Sequence, residues 1–313
     1  MRALVTGVAG FCGPHLVSRL RREGDIEIAG LDRVAGSPPR IHLDRYFQAD
    51  VTDSAAVAAA VKAFRPDWFF HLAGLSGSSA PVASIYHANI TGTIHALESI
   101  RAHALGCRVL LVGSSAEYGP MEASALPVTE AMPCRPVGAY GVSKYAATLI
   151  GMEYARQFGL NVVVARPSNI VGPGVPSSLV VGALIARAKQ ALSSSQTVVK
   201  VGDFDSQRDF IAVADVVDAY VRLLQAGLRG EIFNICSGQA HSIRSIAEML
   251  LANSSVPITL EFDPDLLPPS SIRCLYGSYQ KAARAIGFQP LTSLGEALKA
   301  AWCSGMEVGV VCE

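Results

Sequence analysis

The chain has 313 residues, half of them hydrophobic, and its 26 basic side chains are balanced by 26 acidic ones. Such a length buries a large core and suits one big domain or one and a half. A formal net charge of zero gives no electrostatic reason to expect nucleic acid or an anionic membrane as a partner.

The opening Met1-Arg2-Ala3-Leu4-Val5-Thr6-Gly7 runs straight into a strand, which predicts a cytoplasmic protein without a leader peptide. Further short apolar runs follow at Ile26–Asp32, Tyr46–Asp50, Trp68–His71, Arg108–Val112 and Val162–Ala165. Helical spacing fills the gaps between them, at Phe11–Glu23, Ser54–Phe64, Ser84–Leu105 and Tyr140–Gln157. Apolar strands alternating with helices predict an α/β fold with a doubly wound parallel sheet of the Rossmann type, covered on both faces. After Arg166-Pro167 the rhythm becomes irregular, with helices at Ser178–Leu192, Val213–Ala226 and Ser242–Leu251 and strands at Val198–Val201 and Glu231–Ile235. The division read from this pattern is a first domain over 1–166, a smaller mixed α/β lobe over 167–302 and a tail over 303–313. Some chain is expected to cross between the lobes, with the second closing over the carboxyl edge of the sheet, where open α/β folds bind ligands. One uncharged stretch of membrane length lies between Arg166 and Arg187, but Pro167, Pro173 and Pro176 break any spanning helix there.

Cys12, Cys107, Cys134, Cys236, Cys274, Cys303 and Cys312 include no C-x-x-C pair. An odd, scattered set argues against a disulfide framework and a zinc site, and predicts reduced, mostly buried thiols. His87, His95 and His103 recur every eight residues, which drifts about 80° per step on a helix and gives no shared ligand face. No metal is expected, from these or from His71.

Gly7-Val8-Ala9-Gly10-Phe11-Cys12-Gly13 follows the first strand and opens a helix. Its glycines permit a tight turn and let backbone amides approach a pyrophosphate at the positive helix end. Asp32, at the end of the second strand, is suited to an adenosine ribose, which favours NADH; Arg33 beside it is suited to the 2′-phosphate of NADPH. Asp50 and Val51 end the third strand, in reach of the adenine. Leu72, Ala73 and Gly74 end the fourth and leave small residues against a cofactor. The first domain therefore reads as NAD(P)-binding.

Tyr140 and Lys144 stand one helical turn apart on one face. A free tyrosine has a pKa of about 10, and a neighbouring ammonium is expected to lower it towards acid–base work at neutral pH. Ser114, at the end of the fifth strand, is placed to hydrogen-bond a substrate carbonyl oxygen as the tyrosine proton reaches it. Arg208 offers the two-pronged guanidinium that diphosphates favour, unless Asp205 or Asp209 claims it.

Several segments together resemble the extended short-chain dehydrogenase/reductases, the NAD-dependent epimerase/dehydratase family, which modify nucleotide sugars. They are Phe70–Gly74 (FHLAG), Val112–Gly119, Tyr140–Lys144, Ala165–Gly174 (ARPSNIVGPG), Val201-Gly202, Gln207–Phe210, Ala214–Tyr220 and Phe233–Gly238. The likeness runs to about Trp302. It implies that Ser114, Tyr140 and Lys144 form a catalytic triad and that Lys144 also holds the nicotinamide ribose. It further implies that Ser115 and Asn169 face the sugar or its phosphate, and that Arg208 holds the diphosphate. The implied reaction is reduction by NADH or NADPH of a nucleotide-linked 4-keto-6-deoxy-hexose, GDP-4-keto-6-deoxy-D-mannose to GDP-D-rhamnose being favoured. Members of the family pair two helices across a twofold axis into a four-helix bundle, so a homodimer is expected. Ile85, Ile90, Ile94, Leu97 and Ile100, then Ala146, Ala147, Leu149, Ile150 and Met152, give both helices apolar residues in excess of one face.

Two departures bear on the reaction. Dehydrating relatives carry a glutamate where this chain has Ala116, which removes the base that dehydration needs unless Glu117 reaches round. The late Arg-Pro-x-Asp of relatives is replaced by Pro268-Pro269-Ser270-Ser271, with Arg273 as a possible stand-in for the charge. Two alternatives stand beside the reductase: a nucleotide-sugar 4-epimerase that keeps NAD bound, and a catalytically idle NAD(P)-binding regulatory or scaffold protein.

Overall fold

The first strand, β1 (Arg2–Thr6), buries Ala3 to Thr6 without alternation, as a strand covered on both faces must. The computed structural model describes residues 1–38, 41–76, 80–194, 196–266 and 272–305. In chain order β1 is followed by α1 (Cys12–Leu20), β2 (Glu27–Asp32), β3 (Arg45–Gln48), α2 (Ser54–Phe64) and β4 (Trp68–His71). Next come α3 (Val82–Tyr86), α4 (Gly92–His103), β5 (Arg108–Val112), α5 (Gly138–Gln157) and β6 (Asn161–Pro167).

The expected helix over Ser84–Leu105 is interrupted. A π turn at His87–Thr91 separates α3 from α4 and turns the Asn89 side chain inward, where it bonds the backbone of Leu75. Such bulges insert a residue into a helix and concentrate at functional sites.

The second half holds β7 (Asn169–Val171), α6 (Val180–Ser193), β8 (Val198–Val201), β9 (Gln207–Arg208), β10 (Phe210–Ala212) and α7 (Val213–Gln225). It continues with β11 (Glu231–Ile235), β12 (His241–Ser242), α8 (Ile243–Leu251), β13 (Thr259–Phe262), β14 (Cys274–Leu275), α9 (Gln280–Ile286) and α10 (Leu294–Gly305). Glu231–Ile235 was expected among the strands of the smaller lobe. It lies instead on the main sheet, paired parallel with Val163–Pro167 of β6. The main sheet is entirely parallel, in the order β11-β6-β5-β4-β1-β2-β3. Strand order reverses between β1 and β4, which opens a crevice at their carboxyl ends.

Helix α7 also returns to the main sheet, where Arg19 of α1 donates to Asp218 of α7 at 2.8 Å. Helix α9 joins it there, with Ala282 in the same core, while α6, α8 and α10 pack separately and bury Leu184, Ile246, Leu298 and Trp302 against β8 and β10. Helix α10 begins with a reciprocal cap, in which Glu296 accepts from the Ser293 amide while Ser293 Oγ accepts from the Glu296 amide. Cys12, Cys107, Cys134, Cys236 and Cys274 are free thiols, but Cys303 is disulfide-bonded, which corrects the expectation that all seven are reduced. No helix among the described residues is long and apolar enough to cross a membrane.

Candidate active site

The glycine loop turns at the end of β1. Gly7 sits at φ +67°, in the region that favours glycine, and a Cβ there would lie 2.7 Å from the Ala73 Cα. Gly13 is pressed so close to Val8 that a Cβ would meet its carbonyl oxygen at 1.9 Å. Helix α1 opens with no side-chain cap and no acidic residue in its first turn, leaving the amides of Phe11 and Cys12 to an outside acceptor, while the Gly13 amide bonds the Gly10 carbonyl at 3.2 Å. Gly10 lies between, its amide bonded to the Gly7 carbonyl. Both oxygens of Asp32 accept backbone N–H groups, from Ala9 at 2.9 Å and from Val34 at 3.3 Å. Asp32 therefore ties the loop to β2, and Arg33 next to it is exposed. Asp50 accepts from the amide and hydroxyl of Thr52, and the amide, aided by the hydroxyl and by Arg33, holds its carboxyl below the usual range. Val51 is buried, while Leu72 and Ala73 are half-buried and Gly74 is exposed beside the Asn89 and Lys144 side chains. An uncapped helix start, glycines with no room for a side chain and a carboxylate at the end of β2 fit a dinucleotide.

Tyr140, Lys144 and Thr148 form one stripe along α5, three positions a turn apart. Tyr140 is half-buried, and its hydroxyl is hydrogen-bonded to Ser114. Ser114 caps the short turn after β5, its Oγ accepting from the Ala116 amide at 3.1 Å. Lys144 is buried, donates to the Val112 carbonyl at 2.8 Å, and is brought down by burial to about 8. Burial also raises the Tyr140 phenol, with only partial relief from the Ser114 hydrogen bond. This corrects the expectation of a lowered tyrosine, because desolvation of a phenolate at that depth is the larger effect.

Around the stripe lies a polar web that sequence reasoning missed. Asn89 is 2% exposed and fully used: Oδ1 accepts from the Leu75 amide at 2.7 Å, and Nδ2 donates to the Leu75 carbonyl and to Ser143 Oγ. Ser143 in turn donates to the Tyr140 carbonyl at 2.8 Å. Thr93 gives its proton to the Asn89 carbonyl, so His71 must donate to Thr93 from Nε2 and accept from Thr6 at Nδ1. Burial brings His71 down to about 3, which keeps it neutral and able to do both. The π turn at His87–Thr91 brings Asn89 to this point, and the sequence carries no local signal for it.

Glu117 does not reach the cleft. It is fully buried, with Oε1 accepting from the Ser114 amide at 2.9 Å and from Thr148 Oγ1 at 3.0 Å, and Oε2 paired with Arg166 at 2.7 Å. Ala116 takes the position beside the cleft, and Ser115 is half-buried next to it.

In the second lobe Arg208 binds neither Asp205 nor Asp209. Its guanidinium donates to the carbonyls of Gln207 at 2.8 Å and Ile272 at 2.8 Å. Asn169 is exposed and donates from Nδ2 to the Asp209 carbonyl at 2.8 Å. The Asp209 carboxylate is a buried hub that accepts from Ser168 Oγ, from the Ser237 amide and hydroxyl, and from the Gly238 amide. Arg273 is exposed, and Pro268–Ser271 lie outside the described residues. Among the described residues, no three His, Cys, Asp or Glu side chains are grouped to hold a metal ion.

Residues 3–236 match the model of the NAD dependent epimerase/dehydratase family. The chain is 31% identical to GDP-6-deoxy-D-mannose reductase of Pseudomonas aeruginosa, over 96% of this chain and 95% of that protein. It is 29% identical to UDP-glucose 4-epimerase of Mycolicibacterium smegmatis, over 95% and 96% respectively. Among solved structures it is similar to RMD from Pseudomonas aeruginosa complexed with NADPH, with a TM-score of 0.81, 30% identity and coverage of 97% and 98%. It is likewise similar to UDP-glucose 4-epimerase of Thermus thermophilus in complex with NAD, with a TM-score of 0.86, 25% identity and coverage of 99% and 100%.

Proposed function

The chain belongs to the NAD dependent epimerase/dehydratase family, and from that premise we propose that it reduces the C4 ketone of a nucleotide-linked 4-keto-6-deoxy-hexose. The GDP-linked sugar is favoured by the likeness to the Pseudomonas aeruginosa reductase, with GDP-4-keto-6-deoxy-D-mannose as substrate and GDP-D-rhamnose as product. The observation that carries reduction over dehydration is the position of Glu117. Dehydration needs a base on the carbon beside the ketone, and the carboxylate adjoining Ala116 is buried and held by Arg166, Thr148 and Ser114.

The reduced nicotinamide, when bound, supplies the hydride to C4. Ser114 donates a hydrogen bond to O4 as negative charge develops there. Tyr140 gives O4 its proton, and Lys144, one turn along, holds the nicotinamide ribose and favours the phenolate that remains. The amides of Phe11 and Cys12 would hold the cofactor diphosphate, with Gly10 and Gly13 closing the turn beneath it through their own backbone bonds. Asp32 would hold the adenosine ribose, or Arg33 its 2′-phosphate, while Asp50 and Val51 would border the adenine. On the substrate side, Ser115 and Asn169 face the sugar or its phosphate and Arg208 faces the diphosphate, so residues 167–302 supply much of the substrate contact.

A second reading, 4-epimerisation with retained NAD, is favoured by the likeness to the two UDP-glucose 4-epimerases. GDP-, dTDP-, UDP- and CDP-linked 4-keto sugars, each assayed by loss of reduced-cofactor absorbance, separate the readings. Steady consumption with one of them supports the reductase. No consumption with any, together with NAD carried through purification, overturns it.

We further propose a cytoplasmic homodimer, joined through α4 and α5 as a four-helix bundle. Ile85, Leu97 and Ile100 are already buried within the chain, so the face available for pairing is made by Ile90, Ile94 and Met152, half-exposed, with Val142 38% and Leu149 52% exposed. Light scattering at micromolar concentration tests this, and a monomer would refute it.

A further inference from the structure

The main chain after β5 carries a glutamate that the reaction does not use directly and that nonetheless touches the frame of every reacting group. Glu117 Oε1 accepts from the backbone amide of Ser114 and from the hydroxyl of Thr148, the last member of the Tyr140–Lys144–Thr148 stripe on α5. Its other oxygen takes the guanidinium of Arg166 on β6, whose Nη1 reaches the Tyr118 hydroxyl at 3.3 Å. The Tyr118 hydroxyl donates to Asn234 Oδ1 at 2.7 Å, and the backbone amide of Asn234 donates to Glu130. Glu117, Tyr118, Thr148, Arg166 and Asn234 are all 3% exposed or less. The carboxylate therefore joins the turn that carries Ser114, the helix that carries Tyr140 and Lys144, and the strand beside them.

We infer that Glu117 is a positioning residue of this site: a buried carboxylate that fixes Ser114 through its backbone amide, locks it to the α5 stripe through Thr148, and sets the charge felt by Tyr140 and Lys144. This rests on the reading of Ser114, Tyr140 and Lys144 as the reacting groups.

Burying a carboxylate is costly without a cation beside it, and Arg166 meets that need. A neutral amide or a hydroxyl would satisfy Ser114 and Thr148 just as well, so the charge itself calls for an explanation. Its effect on the dyad has a definite sign. A nearby negative charge disfavours the phenolate and favours the ammonium, so Glu117 raises both Tyr140 and Lys144. The other groups facing the dyad are Cys12 on α1, whose thiol burial pushes up to about 12 and so keeps neutral, His71 on β4, which is neutral, and Tyr220 on α7, which is fully buried. Arg166 lies on the far side of Glu117, against Tyr118 and Cys134. Among the described residues Glu117 is thus the one carboxylate that acts on both Tyr140 and Lys144, and it opposes the fall that burial imposes on Lys144.

The test is Glu117→Gln, which keeps an acceptor for Ser114 and Thr148 and removes the charge. Tyr140 and Lys144 titrate as a pair, and their basic limb in kcat/KM should move to lower pH by about one unit. The same displacement should appear without turnover, in the phenolate absorbance of the NAD(P)-bound protein taken as the difference from its Tyr140→Phe counterpart. That readout holds even if no 4-keto sugar is reduced, so failure of the proposed reaction and failure of this inference remain separate. The single variant leaves Arg166 buried and unpaired, so Glu117→Gln/Arg166→Met is measured alongside it, with both charges replaced by neutral groups. Because Arg166 sits beyond Glu117, the double variant should show the same downward displacement. A phenolate titration unmoved in the double variant would overturn the inference, whatever the single variant does.

Discussion

Along the main sheet the site residues sit at the carboxyl ends of parallel strands, whereas in the second half Asn169 and Arg208 are held by hydrogen bonds to backbone carbonyls of neighbouring segments. Ser114 follows β5, Asp32 closes β2 and the glycine loop follows β1, so the register of a parallel sheet places them. In the lobe, β7, β9 and β10 are two or three residues long, and Asp209 gathers Ser168, Ser237 and Gly238 from three separate segments. The first arrangement is set by strand pairing, the second by side-chain hydrogen bonds.

The largest effect that bears on this contrast is on the sheet side. Tyr140→Phe removes only the proton donor, so turnover should fall by a factor of roughly 10² or more while cofactor binding persists. A variant within threefold of wild type would remove Tyr140 from the chemistry, and would revive the idle-scaffold reading. On the lobe side, Asp209→Asn turns one acceptor oxygen into a donor facing N–H and O–H groups. It should cost about 2–4 kcal/mol of stability and raise the substrate KM, with the cofactor Kd unchanged. An equal loss in cofactor affinity would mean that the two regions are not separately built.

Lys144 offers a third, smaller effect whose sign is fixed by burial. Its folded value of about 8 lies below the ordinary 10.5, so between those values the unfolded chain holds more protons and stability rises with pH. The buried charge is therefore a cost at neutral pH that fades as pH climbs from 8 towards 10.5. Lys144→Met should abolish turnover yet stabilise the protein by about 2 kcal/mol at neutral pH, after the lost bond to Val112 is counted. The gap to wild type should close under alkaline conditions, as chemical denaturation would show; a gap that widens there would contradict the assignment. Smallest is Asp32→Ala, expected to weaken NADH more than NADPH by about 1–2 kcal/mol. Equal weakening, read by fluorescence titration, would leave Asp32 as the tie between the loop and β2 alone.

How much of this was legible in the sequence follows the same division. Apolar runs and helical spacing located β1 to β6, α2 and α5 closely, because buried parallel strands have a strong local signature. Ser114, Tyr140 and Lys144 could be singled out because each sits at a fixed place in that rhythm. Asn89 could not, since its role depends on a π turn inside what reads as an unbroken helix. Strand β11 was visible but misplaced: nothing in Glu231–Ile235 says which sheet edge it will join, and pairing with β6 is a tertiary choice. Helix α10 went unread although Ser293 and Glu296 carry the spacing of a capping box. Glu117 was read as a base held in reserve. Only burial against Arg166 reveals it as part of the frame.

On the proposed reading this site reduces a 4-keto sugar and does not dehydrate a sugar to make one. Incubating the unmodified protein with GDP-mannose and NAD, and looking for a 4-keto sugar, tests that claim most directly. The prediction is no keto product, whereas the supplied 4-keto-6-deoxy sugar consumes one equivalent of NADH or NADPH for each alcohol formed. A 4-keto-6-deoxy product from GDP-mannose would contradict the account, since loss of water would require a base on the carbon beside C4 that neither Ala116 nor the buried Glu117 supplies.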